Sequence, residues 1–220
     1  MKLVLASGSQ RRRELLTMCG YDYEIIVSNA DETIDENDPE SFVRALSFRK
    51  AKEVFDRLFA AGRRDFAVIG SDTVVAFQKE GETKPVIIGK PKDAEDAVCI
   101  LSMLSGKTHR VFTGVSVIAD IPDENAAAQC SIRKKEEIQT ECSITEVTFE
   151  TLSPDEITDY VNSGDPLDKA GSYGIQGPFG MFVREIRGNY FTVIGMPIPV
   201  LYKMLKKIGI LPHGFYERIE

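Results

Sequence analysis

The sequence predicts a mixed α/β fold, and three observations support this prediction. Runs of β-branched and other apolar residues, typical of buried strands, alternate with segments whose apolar residues recur at helical spacing. The 220 residues contain no internal repeat and no disordered linker, and 43% of them are hydrophobic. A chain of this length and composition can bury one sizeable core. We therefore expect a single domain over residues 1–220 in which helices flank a β-sheet.

The N-terminal part of the chain predicts strands and helices in alternation. In order, they are a strand in KLVLAS, a helix in RRRELLTMCG, a strand in YEIIVS and a long helix in ESFVRALSFRKAKEVFDRLFAAG. Residues 7–9 form the turn between the first strand and its helix. Asp38-Pro39 is typical of a helix start, because proline is tolerated in the first helical turn. Lys50 lies inside the apolar stripe of the long helix.

The middle of the chain is rich in β segments. The predicted elements are a buried strand in FAVIGSDTVVAF, a short strand in PVIIGKP, a helix in DAEDAVCILSMLSG, and two long β-rich segments in THRVFTGVSVIAD and IQTECSITEVTFETL. Ser71-Asp72 interrupts the first of these strands with polar groups. The polar stretch at about 121–137 separates the two long segments, and we expect it to be an insertion at the solvated tip of a β-arm.

The C-terminal part predicts a capped helix, a glycine-rich loop, two strands and a closing helix. These elements fall in SPDEITDYVNSG, DPLDKAGSYGIQGPFG, MFVREI, YFTVIGMPI and PVLYKMLKKIGI, respectively. Ser153 and Glu156 have the spacing of a capping box at the start of the first helix. Four glycines in the second segment favour a loop over a regular element.

Composition excludes several classes of function. The 27 basic and 34 acidic residues give a net charge of -7, which opposes broad attraction to nucleic acid. The four cysteines form no CxxC pair and fit reduced thiols, and His109 and His213 are too few for a histidine metal cluster. His109, in an apparent strand, is more typical of a structural or surface residue than of a base. Without a signal peptide or an apolar stretch of roughly 20 residues, we expect a cytoplasmic protein with no membrane partner.

The stretch ASGSQRRR is a candidate site for an anion. The first turn of a helix presents free backbone N–H groups and partial positive charge, which suit a phosphate. Ser7 and Ser9 add hydroxyl donors, and Arg11 and Arg12 add forked cationic donors. The stretch lacks the pattern of a P-loop. The alternative is a solvated basic helix face that follows an ordinary turn.

Asp72 is the leading candidate for an acid, a base or a metal ligand. A carboxylate inside an apolar segment is costly to bury unless a cation pairs with it. Glu32, in the acidic loop before the long helix, is a second oxygen donor, and two carboxylates with a phosphate suit a magnesium ion. The alternatives are that Asp72 forms a hairpin turn and that Glu32 belongs to a solvated acidic face.

Further polar residues lie in the long helix, the GKP loop and the glycine-rich loop. Lys50 and Lys90 are candidate cleft lysines, although Lys50 could snorkel and Lys90 could be fully solvated. The glycines of DPLDKAGSYGIQG would allow close backbone approach to a ligand, with Asp168, Lys169 and Gln176 as polar recognition groups. A flexible loop with tight turns is the alternative. The serines lack a GxSxG elbow, which makes a hydrolase triad a poor explanation.

Taken in order and spacing, several stretches resemble the Maf family of nucleoside triphosphate pyrophosphatases. They are LASGSQRRRELL, IGSDTVV, GKP, LSGKTHRVFTGV, PLDKAGSYGIQG and VIGMPI. The resemblance spans residue 3 to about residue 210. Gln10 is a departure, since the family commonly has proline there, and its loss removes rigidity but no charge. The polar stretch at about 121–137 is a second departure.

The resemblance implies two lobes around a central cleft, in a twisted mixed sheet similar to that of inosine triphosphatases. It also implies a homodimer and magnesium- or manganese-dependent cleavage of a nucleoside triphosphate to a monophosphate and pyrophosphate. Position by position, it assigns phosphate binding to Ser7, Ser9, Arg11 and Arg12, the catalytic carboxylates to Glu32 and Asp72, and cleft charges to Lys50 and Lys90. It treats Asp72 as the proton acceptor, and a carboxylate there either activates water directly or holds the metal that does. Gln176 matches the base-recognition region, and Arg13 is expected to face solvent.

The resemblance also separates branches of the family. Arg11, Thr73 and Gln176 are similar to the branch that acts on dTTP and UTP, whereas a 7-methyl-GTP pyrophosphatase branch tends to carry tryptophan, glutamine and glutamate. A glutamine amide offers a donor and an acceptor to the O4/N3–H edge of a pyrimidine. Two alternatives stay open, a 7-methyl-GTP-type pyrophosphatase and a regulator that binds nucleotide without hydrolysing it.

Overall fold

A seven-stranded mixed β-sheet forms the centre of the protein in the computed structural model, which describes residues 1–79, 81–121 and 135–214. The strands are β1 (Lys2–Leu5), β2 (Glu24–Ile25), β3 (Phe66–Phe77), β4 (Val86–Ile88), β5 (Thr108–Ile121), β6 (Lys135–Phe149) and β7 (Val183–Arg187). The helices are α1 (Gln10–Met18), α2 (Pro39–Ala60), α3 (Ala94–Leu104), α4 (Pro154–Asn162), α5 (Tyr190–Ile194) and α6 (Ile198–Lys207). The predicted mixed α/β fold is confirmed.

The strand order is β2-β1-β3-β5-β6-β7, with β4 also paired to β3. β1 is parallel to both β2 and β3, and the remaining pairs are antiparallel. On one side of β3, β1 pairs with residues 66–69 and β4 with residues 75–77. Residues 70–74 of β3 therefore have β5 on one side and no described strand on the other. This gap in the sheet is where the cleft opens.

Both faces of the sheet are covered near β1. On one face, Leu5 and Ile69 pack with Leu16 of α1 and Leu201 of α6. On the other face, alternate residues such as Val68 pack against α2. Burial on both faces explains why β3 reads as a nearly continuous apolar run.

A second apolar core lies at the other end of the sheet, beneath α3 and α4. The residues of its aromatic centre are His109, Phe149, Tyr160, Tyr173 and Phe179. His109 is 2% exposed, which agrees with the structural reading of this residue. On this face of the sheet α1 and α6 thus belong to one core and α3 and α4 to the other, whereas α2 covers the opposite face.

Helix α2 lies unusually close to the sheet because one residue of β3 and one of β5 that face the helix are glycines. A Cβ atom added at Gly70 would overlap the Ser47 carbonyl oxygen, and one added at Gly114 would overlap that of Val43. Asp38 caps the start of α2 by accepting a hydrogen bond from the Ser41 N–H, as its sequence predicts. The close packing brings Lys50 of α2 within reach of the β3 side chains.

The structure corrects several sequence expectations. YFTVIGMPI, expected to be a strand, forms α5 and the start of α6, because Asn189 caps the helix and Gly195 ends it with a φ of 116°. Short apolar runs do not distinguish a strand from a buried helical turn. The second strand shortens to Glu24–Ile25, and the glycine-rich loop contains short 3₁₀ turns over Asp165–Asp168, Ala170–Ser172 and Pro178–Phe182.

Two further expectations concern the long β segments and the membrane. The polar insertion expected at about 121–137 lies largely outside the described residues, between the end of β5 and the start of β6. Among the described helices, none combines the length and the apolar character needed to cross a membrane.

Candidate active site

A cavity of about 460 Å³ lies at the gap in the sheet. Most of its walls come from the turn after β1, the middle of β3, the loop after α4 and the turn after α5, and residues of α2, β5 and the loops after β2 and β4 complete them. All residues that the sequence predicted for the site line this cavity: Ser7, Ser9, Arg11, Arg12, Glu32, Lys50, Asp72, Thr73, Lys90, Asp168, Lys169 and Gln176. The structure thus brings them together, while their individual roles remain predictions.

Lys50 joins the two predicted catalytic carboxylates. Its Nζ lies 2.7 Å from Asp72 Oδ1 and 3.0 Å from Glu32 Oε1. The side chains of Lys50 and Asp72 are each only 12% exposed, whereas that of Glu32 is 65% exposed. Asp72 lies in the middle of β3, opposite Gly114 of β5, so the hairpin-turn alternative is wrong. Lys50 also makes a buried ion pair and does not snorkel to solvent.

Arg12 is held against the floor of the cavity by three protein oxygens. Its Nε donates to the Gly195 carbonyl at 2.8 Å, Nη1 to Ser7 Oγ at 3.1 Å and Nη2 to Thr73 Oγ1 at 3.3 Å. Burial lowers the pKa of Arg12 from its ordinary value, and the nearby Asp72 carboxylate opposes that shift. Because guanidinium remains charged in proteins, Arg12 places a fixed positive charge at this floor.

A chain of hydrogen-bonded threonine hydroxyls behind Arg12 determines which bond the Thr73 hydroxyl donates and which it accepts. Thr113 Oγ1 donates its proton to the Thr192 carbonyl at 2.7 Å. Thr73 therefore donates to Thr113, 3.0 Å away, and accepts from Arg12. Thr73 thus orients Arg12 through a chain of bonds that ends on the backbone of α5.

Arg11 connects the turn after β1 to the loop after α4. Its Nη1 lies 3.1 Å from Asp168 Oδ2, and Asp168 Oδ1 lies 2.8 Å from Lys169 Nζ. Lys169 also donates to the backbone carbonyl of Asp165 at 2.5 Å and to its Oδ1 at 2.9 Å. An ammonium has three protons, so the bonds of Lys169 within its own loop satisfy it completely.

Several cavity groups are available to a ligand. Ser9 is the N-cap of α1 but makes no side-chain capping bond, and its N–H donates to the buried Ser7 Oγ at 3.2 Å. The side chains of Lys90 and Gln176 are exposed and make no hydrogen bond or ion pair with the described residues. Arg13, expected to face solvent, is half-buried and donates to the Gly8 carbonyl at 2.6 Å, which braces the turn.

The sequence matches a known protein family over almost its full length. A family model described as "Maf: Maf-like protein" matches residues 2–208. The chain belongs to the Maf-like protein family. A dTTP/UTP pyrophosphatase of Agathobacter rectalis is 40% identical over 217 residues, covering 95% of this chain and 98% of that protein. A dTTP/UTP pyrophosphatase of Bacillus thuringiensis subsp. konkukian is 42% identical over 210 residues, covering 95% and 96% of the two chains.

The fold comparison extends to a more distant protein. The structure of the Staphylococcus aureus Ham1 protein superposes with a TM-score of 0.51 at 15% sequence identity, covering 94% of this chain and 99% of that chain. At this identity the likeness concerns the fold alone. It agrees with the fold that the sequence resemblance implied.

Sequence reasoning missed Gly195, the acceptor for Arg12. Its carbonyl accepts from both Arg12 Nε and Ser71 Oγ, and its φ of 116° favours glycine. A signal is present in VIGMPI, where a glycine precedes a Met-Pro pair, but the apolar residues of this stretch predict a strand. A single sequence does not show that the carbonyl of this turn points at an arginine 183 residues away along the chain.

A second cavity, of about 650 Å³, continues the cleft beyond Asp72. It shares Glu32, Asp72, Thr73 and Lys90 with the first cavity. Its remaining walls come from the start of α2 and from β4 with the residues before it. The paired carboxylates therefore lie in the middle of a longer cleft, with room on both sides for a ligand.

Proposed function

We propose that this Maf-like protein hydrolyses dTTP and UTP to the nucleoside monophosphate and pyrophosphate. The observation that carries the proposal is the buried Lys50, which contacts both Asp72 and Glu32 in a cavity lined by Arg11 and Arg12. A site that combines fixed cations with two carboxylates suits a polyanion that must also be cleaved. The names of the two relatives described above point to the same substrates.

The cations of the cavity neutralise the triphosphate. Arg12 is fixed in place before substrate arrives, so little reorganisation accompanies binding. Lys90 is free to turn toward the substrate, and the open N-terminus of α1 adds backbone N–H donors. Arg11 exchanges Asp168 for a phosphate oxygen, since both partners bind the same forked donor.

Glu32 and Asp72 are the residues that would hold a magnesium or manganese ion. No cluster of three or more His, Cys, Asp or Glu able to hold a metal exists among the described residues. Two carboxylates that converge on one ammonium nevertheless fit an ion that takes its other ligands from water and substrate phosphates. When bound, such an ion supplies Lewis-acid stabilisation of the charge on the phosphate oxygens.

Asp72 acts on the attacking water. It accepts a proton as the water oxygen bonds to the α-phosphorus, and the bond from that phosphorus to the bridging oxygen breaks to release pyrophosphate. Lys50 keeps the Asp72 carboxylate oriented, because β3 and α2 hold the pair on a rigid part of the fold. The second cavity provides space for the part of the substrate beyond the bond that breaks.

Arg11, Thr73 and Gln176 set the preference for pyrimidines in this proposal. The Gln176 amide reads the O4/N3–H edge of the base, and its exposed side chain at the cavity wall is available to do so. Thr73 acts indirectly, through the position of Arg12. We also propose, as the family resemblance implied, that the enzyme is a cytoplasmic homodimer, and light scattering of the purified protein tests the dimer.

The experiment that tests this function measures pyrophosphate release from dTTP, UTP, CTP, GTP and 7-methyl-GTP. Each reaction is run with magnesium, manganese or chelator, for the wild type and Asp72→Asn. We expect chelator-sensitive release from dTTP and UTP that the variant lacks, with folding checked by circular dichroism. Release from 7-methyl-GTP alone would assign the other branch, and tight binding without release would indicate a regulator.

A further inference from the structure

Tyr160 of α4 makes two hydrogen bonds that hold the glycine-rich loop. Its hydroxyl donates to Asp165 Oδ2 at 2.6 Å and accepts from the Gly174 N–H at 3.0 Å. The residue is 7% exposed and does not line the cavity. The Tyr160 hydroxyl therefore connects the first turn of the loop to the segment that ends at Gln176.

Gly174 holds the backbone on both sides of Gln176, because it precedes Gln176 by two residues and its carbonyl accepts from the Gly177 N–H at 3.2 Å. It lines the cavity with Ile175 and Gln176, and the Gln176 side chain makes no hydrogen bond to the described residues. The backbone at Gly174 passes directly over the Lys169 side chain, because an added Cβ would lie 2.6 Å from Lys169 Cε. The position of Gln176 thus depends on how firmly the Gly174 backbone is held.

The other partner of Tyr160 is already held by a second residue. Asp165 Oδ1 accepts from Lys169 Nζ at 2.9 Å, and Lys169 also contacts Asp168. If the Tyr160 hydroxyl were removed, Asp165 would keep an ion pair, whereas the N–H of Gly174 has Tyr160 as its hydrogen-bond partner in the structure. Loss of the hydroxyl therefore affects the Gly174 segment most.

We propose that Tyr160 is a positioning residue for base recognition, which acts by fixing the Gly174–Gln176 backbone. The inference rests on the proposed function, because it assigns Gln176 the reading of the base. The aromatic ring packs 4.8 Å from the Phe179 ring, between ring centroids, so Tyr160→Phe keeps this packing and removes only the hydroxyl. The substitution leaves the cations and carboxylates of the cleft in place.

The test is a double-mutant cycle of Tyr160→Phe and Gln176→Ala, read as the ratio of kcat/KM for dTTP to that for CTP. We expect Tyr160→Phe to lower this ratio about tenfold, the size of effect of one buried hydrogen bond, mainly through the KM for dTTP. If Tyr160 acts through Gln176, the double variant has the same ratio as Gln176→Ala alone. Inhibition by inorganic tripolyphosphate, which lacks a base, should be unchanged in Tyr160→Phe.

Ile157→Val is the matched control, because it removes one buried methyl group from α4 within the same core and touches no loop hydrogen bond. It should lower thermal stability but leave the dTTP to CTP ratio unchanged. The proposal would be overturned if Tyr160→Phe left the dTTP to CTP ratio of kcat/KM unchanged. It would also be overturned if the double variant lowered this ratio by the product of the two single effects. If the wild type released no pyrophosphate, the proposed function would fail, and the same cycle on the Kd values for dTTP and CTP would still test Tyr160.

Discussion

The ammonium of Lys50 and the carboxylate of Asp72 are 2.7 Å apart, and both side chains are nearly buried. Lys50 belongs to the long helix on one face of the sheet, and Asp72 belongs to the strand beneath it. Their contact therefore ties the packing of the helix directly to the chemistry of the cleft. Disturbing either partner should change both stability and turnover.

Lys50→Met should abolish most activity and destabilise the fold. Removing the cation leaves Asp72 as a buried charge with a lost partner, and such losses cost about 3 kcal/mol. Turnover of dTTP should fall at least about a hundredfold, the effect of removing one electrostatic group from a site of this kind. Urea unfolding and steady-state kinetics measure the two effects.

Lys52→Met is the control for Lys50→Met on the same helix. Lys52 pairs with Asp56 on the half-exposed face of α2, so its loss should change stability by less than about 1 kcal/mol and leave turnover unchanged. Equal effects of the two substitutions would contradict a specific role for the Lys50–Asp72 pair.

Gly114→Ala should separate helix α2 from the sheet. The added methyl group would overlap the Val43 carbonyl, which is backbone and cannot rotate away. We expect a loss of about 2 kcal/mol in the free energy of unfolding and a lower kcat, because Lys50 moves with its helix. Gly89→Ala is the stability control, since an added Cβ there meets nothing within 4 Å. Stability and kcat equal to those of the wild type would refute this role of Gly114.

Arg12→Lys should weaken substrate binding although it conserves charge. A lysine ammonium cannot reach Ser7, Thr73 and Gly195 in the forked geometry that guanidinium provides. We expect the KM for dTTP to rise about tenfold, as for the loss of one charge-assisted hydrogen bond. The matched exposed substitution is Arg64→Lys, whose arginine donates to the Phe59 and Arg63 carbonyls and lies over the Phe59 ring, and it should leave KM unchanged.

His109 should make the protein less stable in mild acid. Burial lowers the pKa of His109 from 6.5 to about 3, so below pH 6.5 the unfolded chain binds a proton that the folded protein does not. The contribution of His109 to the free energy of unfolding is complete above pH 6.5. It falls by about 1.4 kcal/mol per pH unit down to pH 3, which is about 2 kcal/mol between pH 6.5 and pH 5. The sign follows because protonation favours the unfolded state.

His109→Phe tests this pH dependence. Phenylalanine preserves the aromatic contact with Phe149 and removes the titrating ring, so the variant should lose about 2 kcal/mol less than the wild type between pH 6.5 and pH 5. Carboxylates contribute equally to both proteins, and the difference between their unfolding curves isolates His109. Parallel curves for the two proteins would refute the assignment.

Local sequence signals predicted most of the fold and the polar residues that line the cleft. Capping residues such as Asp38 and Ser153 act on their own helices, and their capping bonds form as expected. The polar Asp72 within an apolar strand indicates a buried cationic partner, and Lys50 within an apolar stripe is a candidate cleft lysine that could also snorkel. The sequence does not show that they pair with each other, because they are 22 residues apart along the chain and belong to different elements, α2 and β3.

The remaining details depend on contacts that a single sequence does not reveal. The helix at 190–194 reads as a strand because a five-residue apolar run has no period long enough to decide. Arg13 reads as exposed because nothing local shows that the Gly8 carbonyl turns back toward it. The sequence predicts that Lys169 recognises a ligand. In the structure Lys169 makes three bonds within its own loop, and these bonds depend on the turn at Asp165, which the sequence does not show.

The gap beside residues 70–74 of β3 also affects how the molecule avoids self-association. A strand edge with unpaired backbone groups is a template on which another chain can add a strand and begin aggregation. Here the unpaired edge lies at the bottom of a cleft, and the Asp72 charge lies within it. The charged residues proposed to act in catalysis therefore also protect the open edge of the sheet from pairing with another chain. Substitutions that neutralise the cleft should be selected against because they lower solubility as well as activity.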